Sequence, residues 1–151
     1  MGLKKDKIGI LGGSFDPAHK GHLAISKEAL KRLKLKKIIW AITKKNPFKK
    51  ICNVSLLNRI KYCKKIINKN NFIKVKFYED IIRSNKTINL IEYLKRNKKN
   101  EVYFLMGADN LINFHKWHKW KTISQKCNII VFDRHGYKKK SLNSTTYKRL
   151  D

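Results

Sequence analysis

The chain has 151 residues, 42% of them hydrophobic, which suits a single domain over residues 1–151 and is too short for two ordinary domains. A formal charge of +27 invites a nucleic-acid or anionic-membrane partner. The lysines, however, are spread over nearly every segment beside many Ile and Asn residues, as an AT-rich coding sequence would produce, which disfavours a nucleic-acid partner.

No apolar run is long enough to span a bilayer, and the lysine-bearing start is not followed by an export signal, so a cytoplasmic protein with no membrane partner is expected. Cys52, Cys63 and Cys127 are odd in number and lack CxxC spacing, which excludes a disulfide framework or zinc knuckle and makes each a small apolar residue.

In chain order, residues 7–11 form the first apolar, β-branched run and stop at Gly12-Gly13. Leu23, Ile25, Ala29, Leu30 and Leu33 then recur at helical spacing, and residues 37–42 read as a second buried strand. Residues 55–68 predict a helix capped by Ser55, with Leu56, Leu57, Ile60, Cys63 and Ile67 on one face. A third strand is expected at 72–78, a helix around Ile88, Leu90, Ile91 and Leu94, and further strands at 101–106 and 127–132. This alternation predicts an α/β protein with a doubly wound, mostly parallel sheet flanked by helices. In such sheets ligands lie beyond the carboxyl ends of the strands, so the loops after Leu11, Ile42 and Met106 should share one cleft.

The loop at 12–22 carries the clearest chemistry. Paired glycines allow close approach of backbone amides to a ligand, and Asp16-Pro17 favours a turn. His19 and His22, three residues apart at the start of the helix, can present both imidazoles beside its positive end, where two donors would meet a phosphate. The spacing fits neither a GxGxxG dinucleotide fingerprint nor a GxxxxGK[ST] phosphate loop.

The string Gly12-Gly13-Ser14-Phe15-Asp16-Pro17-Ala18-His19-Lys20-Gly21-His22 resembles the HxGH signature of the adenylyltransferase superfamily, which shares a Rossmann-like fold with class I aminoacyl-tRNA synthetases. The resemblance implies that Gly12, Gly13, Ser14, Phe15 and Asp16 hold ATP. It also implies that His19 and His22 contact the phosphates and stabilise charge during in-line displacement at the α-phosphorus. Mg²⁺ on the departing pyrophosphate is implied as well, and no covalent intermediate is expected.

The acceptor is signalled further along. The run Tyr103-Phe104-Leu105-Met106-Gly107-Ala108-Asp109-Asn110-Leu111, followed by Phe114, Trp117, Trp120 and Ile123, is similar to nicotinate-nucleotide adenylyltransferases, as is Arg134-His135-Gly136-Tyr137. The resemblance implies ATP and nicotinate mononucleotide as substrates and nicotinate adenine dinucleotide and pyrophosphate as products, a step of NAD biosynthesis.

It places Gly107, Asp109 and Arg134 on the ATP side; at a strand end facing the cleft the Asp109 carboxylate can accept ribose hydroxyls, the alternative being a helix cap by Asp109 or Asn110. Trp117 would stack on the nicotinate ring while Trp120 packs in the core. Thr87 would hold the nicotinate side or simply cap a helix. Pro47-Phe48-Lys49 resembles that family's Pro-Pro-His-Lys, making Lys49 either a phosphate-facing residue or a solvated charge.

Two other functions remain open at this level: a phosphopantetheine adenylyltransferase, and a non-catalytic nucleic-acid-binding relative that exploits the charge. The family pattern also continues with a Ser-Ser-Thr-x-Ile-Arg phosphate clamp. Ser144-Thr145-Thr146-Tyr147-Lys148-Arg149 shares its letters but follows Gly136 too closely for the strand that precedes that motif. The clamp is therefore expected to be missing, as in a truncated, inactive product, or replaced by a different closure.

Overall fold

A computed structural model of the chain describes residues 4–44 and 52–132. Lys49, Arg134 and the serine- and threonine-rich stretch at 144–149 lie outside the described residues. Five strands, β1 (Asp6–Gly13), β2 (Lys37–Ile42), β3 (Ile73–Lys76), β4 (Asn100–Gly107) and β5 (Asn128–Phe132), form one sheet in the order β3-β2-β1-β4-β5. Every neighbouring pair is parallel, matching the doubly wound pattern of alternating strands and helices. The chain winds outward from β1 to β3 and then crosses back to β4, so the switch point lies between β1 and β4.

Strand alternation sorts the core onto both faces. Ile38, Trp40 and Ile42 of β2 join Leu11, Leu105 and Ile73 on one face, where α1 (Lys20–Leu33) contributes Ala29 and α2 (Leu56–Ile67) contributes Cys63. Ile39 and Ala41 turn the other way. They join Ile10, Phe104 and Met106 beneath α4 (Thr87–Lys95), which buries Ile88, Ile91 and Leu94, and α6 (Trp120–Lys126), which buries Ile123. Burying each large aliphatic side chain contributes roughly 1.5–3 kcal/mol. Gly9 on the central strand admits this packing, since a Cβ there would lie 2.8 Å from Leu35 Cδ1.

Four features depart from the sequence reading. Leu57, placed by spacing on the apolar face of α2, is 62% exposed, and the position on that face belongs to a buried arginine, Arg59. β3 is confined to Ile73–Lys76, the four residues that pair with Ile38–Ala41 of β2, while Tyr78 precedes a short helix, α3 (Glu79–Ile82). A second short helix, α5 (Ala108–Leu111), begins directly after β4, and a 3₁₀ turn at Phe114–Lys116 follows it. α6 was equally unsignalled, because its seven residues are too few to display a period.

Candidate active site

The sheet register opens a cleft. β1 pairs with β2 as far as Gly13↔Ile42 but with β4 only as far as Leu11↔Leu105, whereas β4 continues along β5 to Gly107↔Phe132. Beyond Leu11 the two central strands part, with Gly12-Gly13 on one lip and Gly107 on the other. This is the switch-point crevice expected for ligand binding. A Cβ on Gly12 or Gly13 would meet nothing closer than 3.6 or 3.7 Å. Internal packing therefore does not demand glycine there, and what glycine leaves open is the approach of a ligand to the backbone.

His19 is the N-cap of α1 and His22 its third residue, and the two form a reciprocal capping box. The amide of Gly21 donates to His19 Nδ1 at 3.0 Å, and the amide of His19 donates to His22 Nδ1 at 3.0 Å. A neutral imidazole whose Nδ1 accepts a hydrogen bond carries its proton on Nε2, so both rings are donors through Nε2–H. Their centroids lie 4.0 Å apart. Gly21 is required between them, because a Cβ there would fall 2.7 Å from His19 Cε1 and 2.8 Å from its Nδ1. Two imidazole donors at the positive end of a 14-residue helix form an anion-binding arrangement.

An aromatic stack holds this box from beneath. Phe15, buried with φ of 50°, stacks on Trp40 at 5.1 Å and meets the His22 ring at 4.6 Å. A left-handed conformation is costly for a bulky residue, and here packing on two aromatic rings compensates it. The Phe15 side chain thus belongs to the core, leaving only its backbone for the ligand role expected of it. Trp40 Nε1 donates to the fully buried Ser26 Oγ at 2.8 Å, and Ser26 Oγ donates to the His22 carbonyl at 2.8 Å. The core of β2 is thereby linked to the first turn of α1.

The Asp16 side chain braces the loop that carries it. Its carboxylate accepts the amides of Asn53 at 2.5 Å and Val54 at 3.0 Å, tying the β1 loop to the segment that leads into α2. Arg59, missed in the sequence reading, is 2% exposed. Its guanidinium donates to the carbonyls of Val54, Ser14, Thr43 and Lys44 at 2.7–3.0 Å. Glu79 approaches the same β2 loop, accepting from Thr43 Oγ1 at 2.5 Å and from the Lys44 amide at 3.0 Å. Arg59 was legible only as a charged residue within an apolar stripe, three positions after Leu56 and four before Cys63. Burial, opposed by the nearby Arg59 charge, pushes the Cys63 thiol up to about 11, which disfavours the thiolate a nucleophile needs.

On the opposite lip, Gly107 is buried and Asp109 sits in α5, half-buried with Oδ1 sealed from solvent. Thr87 is the first residue of α4, whose N-cap is Lys86, so the capping alternative for Thr87 does not hold. Trp117 is half-buried, edge-on to Phe104 at 5.8 Å and to Phe114 at 5.1 Å, and Trp120 is buried in the core as expected.

A cytidylyltransferase-like family model matches residues 10–150. The probable nicotinate-nucleotide adenylyltransferase of Pelagibacter ubique is 72% identical over 151 residues, covering 100% of this chain and 84% of that protein. The probable nicotinate-nucleotide adenylyltransferase of a Nitratiruptor species is 40% identical over 134 residues, 87% of this chain and 76% of the relative. Among solved structures, Plasmodium falciparum nicotinic acid mononucleotide adenylyltransferase complexed with NaAD has a TM-score of 0.80 at 21% identity, covering 91% of this chain and 70% of that one. At that identity the likeness is one of fold.

Proposed function

We propose, from the premise that this chain belongs to the nicotinate-nucleotide adenylyltransferase family, how its residues divide the work of that family's reaction. The enzyme transfers the adenylyl group of ATP to nicotinate mononucleotide, giving nicotinate adenine dinucleotide and pyrophosphate in NAD biosynthesis. A phosphate oxygen of the mononucleotide forms the new bond to the α-phosphorus, and the bond from that phosphorus to the pyrophosphate oxygen breaks. The nucleophile is already an anion, so no general base is needed. Positioning and charge stabilisation carry the catalysis.

The observation that carries this division of labour is the His19–Gly21–His22 box. With both Nδ1 atoms accepting backbone amides, His19 and His22 act as Nε2–H donors to the phosphates, not as bases. Gly12 and Gly13 bring backbone amides against the nucleotide, with the backbones of Ser14 and Phe15 continuing that contact. Asp109 and Gly107 take the nucleoside from the β4 lip, and the half-buried Trp117 and Thr87 at the start of α4 take the nicotinate side. Lys49 and Arg134 join the phosphate and ATP contacts.

Mg²⁺ bound with ATP would supply charge neutralisation on the departing pyrophosphate. Among the described residues no group of three His, Cys, Asp or Glu side chains could hold a metal ion. The high positive charge raises the local concentration of both anionic substrates. No helix among the described residues is long and apolar enough to cross a membrane, and we place the enzyme in the cytoplasm as one nucleotidyltransferase domain.

The test is pyrophosphate release with ATP, Mg²⁺ and a panel of acceptors. Turnover with nicotinate mononucleotide and none with phosphopantetheine is expected. Release only with phosphopantetheine, or salt-sensitive nucleic-acid binding without any turnover, would overturn the assignment.

A further inference from the structure

The geometry points to Arg59 as a positioning residue for adenylyl transfer: its buried guanidinium locks the histidine-bearing β1 loop to the β2 loop and so sets where His19 and His22 stand. The inference rests on the reaction assigned above, but its structural half can be tested without it. Arg59 lies on the inner face of α2, and each of its anchors is a backbone carbonyl on a segment around the cleft. Nη1 reaches Ser14 of the β1 loop and Thr43 at the end of β2, both at 2.8 Å. Nη2 reaches Lys44 at 2.7 Å, and Nε reaches Val54, just before α2, at 3.0 Å.

Ser14 is five residues before His19, and the intervening Phe15 packs on the His22 ring. The anchor on Ser14 therefore acts on the imidazoles through a short, packed segment. Asp16 closes the same circuit from the other side, since Val54 gives its amide to Asp16 and its carbonyl receives Arg59. Thr43 closes a second, donating its amide to the Gly13 carbonyl at 2.8 Å.

Burying a guanidinium is expensive unless its donors are satisfied, and carbonyl acceptors satisfy it without cancelling its charge. The site thus holds a guanidinium hydrogen-bonded to four carbonyls behind the phosphate-facing loop, with the Asp16 and Glu79 carboxylates bonded to the same segments. A planar fork also reaches three segments in a way that a single ammonium cannot. Lysine at this position keeps the charge while losing the cross-brace.

The experiment compares the full-length wild type with Arg59→Lys and Arg59→Ala. Imidazole ¹⁵N signals, assigned through His19→Asn and His22→Gln, report whether both rings keep their Nε2–H form and their Nδ1 hydrogen bonds. Expected for Arg59→Lys is a folded protein in which the His19 and His22 signals shift while those of His115 and His118 stay. Its kcat should fall about 100-fold, the cost of a misplacement of around an ångström, with little change in KM for ATP. Methylguanidinium, but not methylammonium, should restore the imidazole signals and part of the turnover in Arg59→Ala.

A folded Arg59→Lys with native His19 and His22 signals would overturn the positioning role. So would activity per folded molecule equal to wild type. Wild-type protein that is inactive on nicotinate mononucleotide would instead sink the assigned reaction, leaving the imidazole signals to decide the role of Arg59.

Discussion

Gly21→Ala separates the chemistry of the histidine box from the stability of the helix that carries it. Gly21 lies in the first turn of α1, where alanine is the better helix former by about 0.8–1 kcal/mol. Opposing that gain, the new Cβ would sit 2.7 Å from His19 Cε1 and 2.8 Å from Nδ1, distances that force the ring to swing away. The swing breaks the hydrogen bond from the Gly21 amide to His19 Nδ1, an N-cap contact worth typically about 1 kcal/mol.

The two effects nearly cancel, so the melting temperature should move by no more than about 4 °C. Catalysis has no such compensation. Displacing one preorganised donor costs about 100-fold to 1,000-fold in kcat, or roughly 2.7–4 kcal/mol of transition-state stabilisation. Pyrophosphate release at saturating substrate, paired with thermal melting of the same preparations, reads both quantities. Activity within threefold of wild type at unchanged stability would refute the steric reasoning. An equal loss of stability and activity would refute the separation.

Three further expectations follow from particular contacts. His19→Asn supplies an equally good N-cap acceptor without the Nε2–H donor, so urea denaturation should shift by less than about 0.5 kcal/mol while kcat falls at least about 100-fold. Trp40→Phe removes the buried donor to Ser26 Oγ together with part of the indole, and denaturant titration should register a loss of about 2–4 kcal/mol. The Cys63 thiol, raised by burial from 9.0 to about 11, should resist alkylation at pH 8, where about one folded thiol in a thousand is ionised. Because the folded value lies above the unfolded one, its stabilising contribution is whole below about pH 9 and is lost as pH rises through about 11. Peptide mass spectrometry after timed iodoacetamide exposure checks this, and labelling of Cys63 in native protein as fast as in urea would contradict it.

The parallel sheet was legible because its strands are short, β-branched runs separated by turn signals and helical spacing, as at 37–42. Residues 12–22 were legible for a different reason, since paired glycines and two spaced histidines at a strand-to-helix junction specify both a backbone shape and a chemistry. What escaped the reading depends on tertiary context. Arg59 looks like one basic residue among many until the fold buries it against four carbonyls, and Leu57 fits the helical stripe by spacing yet faces solvent. Asp16 shows the same limit. Its carboxylate serves the backbone of residues 53–54, a contact across 37 and 38 positions that no local pattern encodes.

The central claim is that two histidines, locked as Nε2–H donors at the start of α1, drive adenylyl transfer to nicotinate mononucleotide. Phosphorus NMR of ATP, Mg²⁺ and nicotinate mononucleotide with wild type, and with the His19→Asn/His22→Gln double variant, tests it most directly. The wild type should form nicotinate adenine dinucleotide and pyrophosphate in equal amounts, while the folded double variant forms neither at a measurable rate. A folded double variant that retains turnover within tenfold of wild type would contradict the account.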